Sequence, residues 1–145
     1  MFDRIVAAID ADSTRAQHVI DAAVELASRH GSQVLVIHVR EVERPGAALA
    51  RPGAIPPALT PESEEEAARI VEQALQRLRA AGLRAEGRVG QGLGSTAHEL
   101  LDSALEFKAG LILVGDRGSH LTDLLLGGVA HRIVHQAQCS VLVVR

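Results

Sequence analysis

The chain has no tryptophan and no tyrosine, and only two phenylalanines. Readers of single-stranded nucleic acid stack bases on aromatic side chains, so the composition argues against that class. A basic surface is missing as well. Fifteen Lys and Arg stand against eighteen Asp and Glu, a formal net charge of −3. Such a balance argues against a surface that tracks a phosphate backbone. There is one cysteine, Cys139. It can form no intrachain disulfide and fits a reducing compartment. No apolar run is long enough to span a bilayer. The N-terminus, MFDRIVAAID, lacks the long apolar core and cleavage site of a signal peptide. The expectation is a cytoplasmic protein with neither a membrane nor a nucleic-acid partner. A Gly-x-x-x-x-Gly-Lys-Ser/Thr phosphate loop is also missing, which argues against a standard NTPase engine.

What is present is the balance of a soluble globular domain. Apolar residues make up 47% and charged residues 23% of 145 residues. That length predicts a single domain over residues 1–145, large enough to bury a proper core. Arg4–Ile9 is a short continuous apolar run, as in a strand covered on both faces. Asp10-Ala11-Asp12-Ser13 ends it with turn and cap chemistry. A helix follows to about His30, with Ala16, Ile20, Ala23, Val24 and Ala27 on one face, and Gly31 stops it. Gln33–Val39 reads as a second buried strand.

The composition then changes. Residues 41–61 carry all five prolines and show no periodicity. So long a connection inside a compact domain is either a lid or simply mobile, and a mobile loop is expected here. Thr60 and Pro61 predict the start of a second helix, followed by an acidic first turn and an apolar stripe of Ala67, Ile70, Val71, Ala74, Leu75 and Leu78. Leu83–Val89 is a more polar strand, as suits a sheet edge. A third helix, capped by Ser95 or Thr96, turns Ala97, Leu100, Leu101 and Ala104 inward. Leu111–Val114 is the fourth strand. A fourth helix uses Val129, Ile133, Val134 and Ala137, and Ser140–Val144 is the last strand.

Strands alternating with helices imply a parallel sheet with helices on both faces. Ligands bind such sheets at the carboxyl ends of strands, where the strand order reverses. If the first strand is central and the fourth is its neighbour, Asp10–Ser13 and Gly115–Gly118 face each other across that crevice. The stretch Leu111–Val134, LILVGDRGSHLTDLLLGGVAHRIV, places glycines where a strand gives way to a helix. Backbone N–H groups freed there, with the positive end of a helix, suit an anion. This stretch is read as a phosphate cradle.

The same residues resemble the universal stress protein family over essentially the whole chain. RIVAAIDADSTRAQHVIDAA is similar to its opening strand, turn and helix, and VLVIHV to its second strand. LILVGDRG…LLLGGVAHRIVHQAQCSVLVVR, the most specific block, is similar to its C-terminal segment. The resemblance implies an α/β three-layer sandwich of the adenine nucleotide alpha hydrolase-like type. Its five-stranded parallel sheet has the order 3-2-1-4-5, with helices on both faces. It also implies a homodimer, here through the apolar C-terminal strand 140–144, and ATP or another adenine nucleotide, with Mg, as ligand. Position by position, Asp10, preceded by Ala8 and Ile9, stands where the family's acidic residue meets the adenine. Val39 stands where a side chain packs on the adenine. Val114, Gly115, Arg117 and Gly118 match the first half of the ribose and phosphate loop, and Gly127, Gly128 and Val129 match the second.

Two departures qualify the match. The family's ATP-binding fingerprint is Gly, two residues, Gly, nine residues, Gly, then Ser or Thr. Only eight residues separate Gly118 from Gly127, and the hydroxyl position is Gly128. A lost hydrogen bond to a charged group costs about 1.5–3 kcal/mol, about ten- to a hundredfold in affinity. Two readings follow. One is an adenine-nucleotide-binding regulatory module without fast catalysis. The other is an interaction dimer with a vestigial glycine loop.

The remaining signals carry less. Gly90-Gln91-Gly92-Leu93-Gly94 mimics a dinucleotide fingerprint but finds Ser95 where the last glycine belongs, so it reads as a plain turn. His131 and His135 lie one helical turn apart, and two ligands do not make a metal site. No catalytic set is evident, and neither catalytic residues nor a metal are assigned.

Overall fold

The computed structural model describes residues 1–42, 61–116 and 128–145. Most of the proline-rich connection, residues 43–60, lies outside the described residues, as do residues 117–127. The elements run β1 (Arg4–Ile9), α1 (Ser13–His30), β2 (Gln33–Val39), α2 (Glu64–Ala80), β3 (Ala85–Gly90), α3 (Thr96–Glu106), β4 (Leu111–Gly115), α4 (Gly128–Gln136) and β5 (Ser140–Val144). The strands form one parallel sheet in the order β3-β2-β1-β4-β5. The order expected from the resemblance is the order found.

Burial explains the sequence pattern of each strand. The central strand β1 is buried from Ile5 to Ile9. Its alternate residues feed two separate cores. Ile5, Ala7 and Ile9 join Val34 and Val36 beneath α1 and α2. Val6 and Ala8 join Leu35, Ile37, Val39, Ile112 and Val114 beneath α3 and α4. A strand with an apolar layer on each side has no polar positions to alternate, hence the continuous apolar run. Burying each large aliphatic side chain contributes about 1.5–3 kcal/mol. The edge strands differ. β3 is mostly half-buried or exposed, and β5 alternates between the two states.

Helix ends follow their local chemistry. Asp12 caps α1 by accepting from the Arg15 backbone N–H at 2.9 Å. Gly31 closes it in the left-handed region, φ 66°, where a side chain would be strained. The start of α2 departs from expectation. Its cap is Ser63, not Thr60, and Pro61 precedes the helix rather than lying in its first turn. The reason is a reciprocal box: the Glu66 N–H donates to Ser63 Oγ at 3.1 Å, and the Ser63 N–H donates to Glu66 Oε2 at 2.9 Å. The inward face of α4 also differs. Ala130 and Ile133 are buried, whereas Val134 is 40% exposed.

Among the described residues no helix is long and apolar enough to cross a membrane.

Candidate functional site

The strand order reverses between β1 and β4, which leave the sheet side by side and turn to opposite faces. The crevice lies beyond their carboxyl ends. In the register, Ala8 stands beside Ile37 on one side and Val114 on the other. Ala8, Val39 and Val114 all belong to the core layer under α3 and α4 and are 5–6% exposed. They form the apolar end of that layer at the rim of the sheet. Ile9 points to the opposite layer. Val39 extends into space that Gly90 leaves: a side chain at 90 would begin 2.8 Å from Val39 Cγ2.

Asp10 is the first residue past β1 and is held from two directions. Its Oδ1 accepts the Asp12 backbone N–H at 3.0 Å, which closes the turn. Its Oδ2 accepts Arg15 Nε at 3.0 Å. The Arg15 Nη1 lies 3.4 Å from Asp12 Oδ2, so one guanidinium spans both carboxylates. The stem of Arg15 lies beside Gly115, where a side chain would begin 3.7 Å from Arg15 Cβ. Arg15 thus holds the loop after β1 and lies beside the end of β4. Arg15 is not among the site residues that the sequence alone marks. Its signal was an arginine in the first helical turn, five residues after the strand-end aspartate.

Past Gly115, the Asp116 N–H donates to the Val144 carbonyl at 2.9 Å. The Asp116 carboxylate meets Arg145 Nε at 3.3 Å. Its negative charge therefore has a cation at the end of β5. Gly128 opens α4, and among the described residues no atom beyond its chain neighbours and the α4 backbone stands within 4 Å of where its side chain would begin. Val129 is half-buried against the α3 and α4 layer. Ala8, Ile9, Asp10, Val39, Val114 and Gly115 come together at one rim of the sheet. Arg117, Gly118 and Gly127 lie outside the described residues. A glycine at the start of a helix suits an anionic group held by backbone N–H donors. No group of three or more His, Cys, Asp or Glu side chains positioned for a metal occurs among the described residues.

The other sequence signals resolve as structure. Gly92, φ 71°, packs against the Arg40 carbonyl and donates its N–H to Glu99 Oε1 at 3.0 Å, so its turn is built for the chain itself. The His131 and His135 rings meet at a tilt of 54°, with centroids 4.4 Å apart. Cys139 is half-buried, and burial pushes its thiol pKa up, which lowers its reactivity.

Comparison with known proteins agrees along the full length. The profile described as the Universal stress protein family matches residues 1–145. Universal stress protein YxiE of Bacillus subtilis is 33% identical, covering 100% of both chains. Universal stress protein A homolog 1 of Coxiella burnetii is 32% identical, covering 99% of this chain and 96% of its own. Among solved structures, the universal stress protein from Archaeoglobus fulgidus in complex with dAMP superposes with a TM-score of 0.70 at 23% identity. That match covers 100% of this chain and 98% of the other.

Proposed function

The chain belongs to the universal stress protein family, and from that premise we propose that it is a regulatory module that binds an adenine nucleotide without fast catalysis. One observation carries the reading. Asp10, bonded to Arg15, and Gly115, beside the Arg15 stem, lie at the point where a 3-2-1-4-5 sheet reverses its strand order. The dAMP held by the Archaeoglobus fulgidus relative supports an adenine ligand class. The base would lie toward Asp10 and Val39, with Ala8 and Val114 as its apolar floor. Ribose and phosphates would run along Gly115, Arg117 and Gly118 toward Gly127, Gly128 and Val129. An associated Mg²⁺ would take its oxygens from the phosphates and water, as this ion commonly does.

Asp10 is committed to the Asp12 N–H and Arg15, which makes it a holder of the base rather than a proton acceptor. Binding rather than turnover is the role these residues fit.

The module would act in the cytoplasm as a homodimer joined along β5. That strand is an edge, and it leaves Leu142 42% exposed. Unpaired apolar edges favour pairing with a second chain. The competing reading is an interaction dimer that binds no nucleotide, and it rests on Gly128 and the short loop.

Amide chemical-shift mapping with added AMP tests the site. The expected perturbations fall on residues 8–10, 39, 114–118 and 127–129. Perturbations elsewhere, or none at millimolar AMP, would overturn the assignment.

A further inference from the structure

His38 is a histidine inside the sheet, 1% exposed. It continues the row of Val34 and Val36 on β2, under α1 and α2. Its Nδ1 lies 3.1 Å from the carbonyl oxygen of Ile9, the last residue of β1. Its Nε2 lies 2.9 Å from both carboxylate oxygens of Glu62. A carbonyl only accepts, and a neutral imidazole offers one N–H and one lone pair. If the N–H faces Ile9, the Nε2 lone pair faces a carboxylate. If it faces Glu62, the Nδ1 lone pair faces the carbonyl. Both contacts are satisfied when the pair carries one more proton than a neutral ring and a carboxylate do. It does not matter whether that proton sits on Nε2 or on Glu62.

Glu62 is tied in turn to Glu41. Its Oε2 accepts the Glu41 N–H at 3.0 Å, and its own N–H donates to the Glu41 carbonyl at 3.0 Å. Arg40 Nη2 donates to the Glu62 carbonyl at 3.0 Å, and Arg40 Nη1 reaches Glu64 at 3.4 Å. The other surroundings are as follows. α1 turns Val19, Ile20, Ala23 and Ala27 inward. β3 sets Val89 beside His38 in the register. The first turn of α2 brings Glu64 and Glu66. On β1, Asp10 with its Arg15 follows Ile9 by one residue.

We propose that His38 and Glu62 form a proton-dependent clamp. It positions the end of β1 and joins Glu41 to Glu62, the flanks of the 43–60 connection. With the extra proton, the ring holds Ile9 and Glu62 at once. Without it, one contact sets lone pair against lone pair, and Glu62 is released from the ring. The clamp operates whether or not a nucleotide binds.

Amide hydrogen exchange of the whole chain tests it, with rates corrected for intrinsic pH dependence, from about pH 5 to about pH 9. The Glu41 amide is the reporter. The Gln33 amide, which donates to Asp3 at 2.8 Å, is the control. The expected result is a fall of about tenfold in Glu41 protection as pH rises, with Gln33 unchanged. Glu62→Gln supplies the missing donor: its NH₂ can donate to Nε2 of a neutral ring while its oxygen accepts the Glu41 N–H. That variant is expected to keep Glu41 protected at every pH. Wild-type protection that does not change with pH overturns the clamp, and so does a Glu62→Gln profile that falls like the wild type. If the variant does not fold, the wild-type profile decides alone.

Discussion

Arg15 holds Asp10 from the first turn of α1: Nε donates to Oδ2 at 3.0 Å, while the arginine stem lies beside Gly115. The carboxylate that would face the base is thus oriented by a residue whose stem lies beside the other side of the crevice. Asp10→Ala removes the carboxylate and is expected to weaken AMP binding about ten- to a hundredfold. Arg15→Ala leaves the carboxylate but frees its orientation, and a smaller loss of about tenfold is expected. Calorimetry of both variants checks this. Unchanged affinity in Arg15→Ala would remove the positioning role.

Gly128 stands where the family's fingerprint has a hydroxyl, and a side chain there meets none of the described residues beyond its own helix within 4 Å. Gly128→Ser should therefore fold normally. It is expected to raise the affinity for AMP and ATP about tenfold or more, with no gain for adenosine, which has no phosphate. An equal gain for adenosine would place the hydroxyl somewhere other than the phosphate path.

Gly92 combines φ 71° with a close approach to the Arg40 carbonyl. Gly92→Ala is expected to lower stability by about 1–3 kcal/mol in urea unfolding, from left-handed strain together with the crowded carbonyl. Gly94, where an added Cβ meets none of the described residues within 4 Å and φ is not positive, is the control. Gly94→Ala should stay within about 0.5 kcal/mol of the parent.

The capping box of α2 makes a pH prediction. The Ser63 backbone N–H, then the Ser63 hydroxyl, hold the Glu66 carboxyl below its ordinary pKa. A depressed folded pKa means that the contribution is present above the unfolded value and is lost as pH falls through the folded one. Thermal unfolding should show Glu66→Gln less stable than the parent at neutral pH. The two should converge as pH falls below the carboxylate range. A constant difference across that range would show that the box does not depend on charge.

Much of this architecture was legible because the strands announce themselves. Arg4–Ile9, Gln33–Val39 and Ser140–Val144 are apolar runs between turn or polar residues, and their bounds match the structure. β3 was placed at 83–89 and lies at Ala85–Gly90, since a polar edge strand has weak periodicity. Strand order came only through the resemblance, because alternation says which face a residue takes and not which strand lies beside it. The α2 cap was misplaced because Pro61 is a strong local marker, although Ser63 and Glu66 spell the reciprocal box. The His38–Glu62 pair was not legible at all. The two residues lie 24 positions apart, and only the packing of α2 against β2 brings them together. At the crevice, Asp10 was legible as a strand-end acid, whereas the role of Arg15 needed the geometry of the first helical turn.

The crevice beyond β1 and β4 is proposed to take an adenine nucleotide. Isothermal calorimetry of the wild-type chain with ATP, ADP, AMP and cyclic AMP, with and without Mg²⁺, tests it most directly. The predicted result is saturable heat for at least one of these nucleotides, weakened in Asp10→Ala. No heat and no thermal shift at millimolar concentration of any of them would contradict the claim and leave the interaction dimer as the function of this fold.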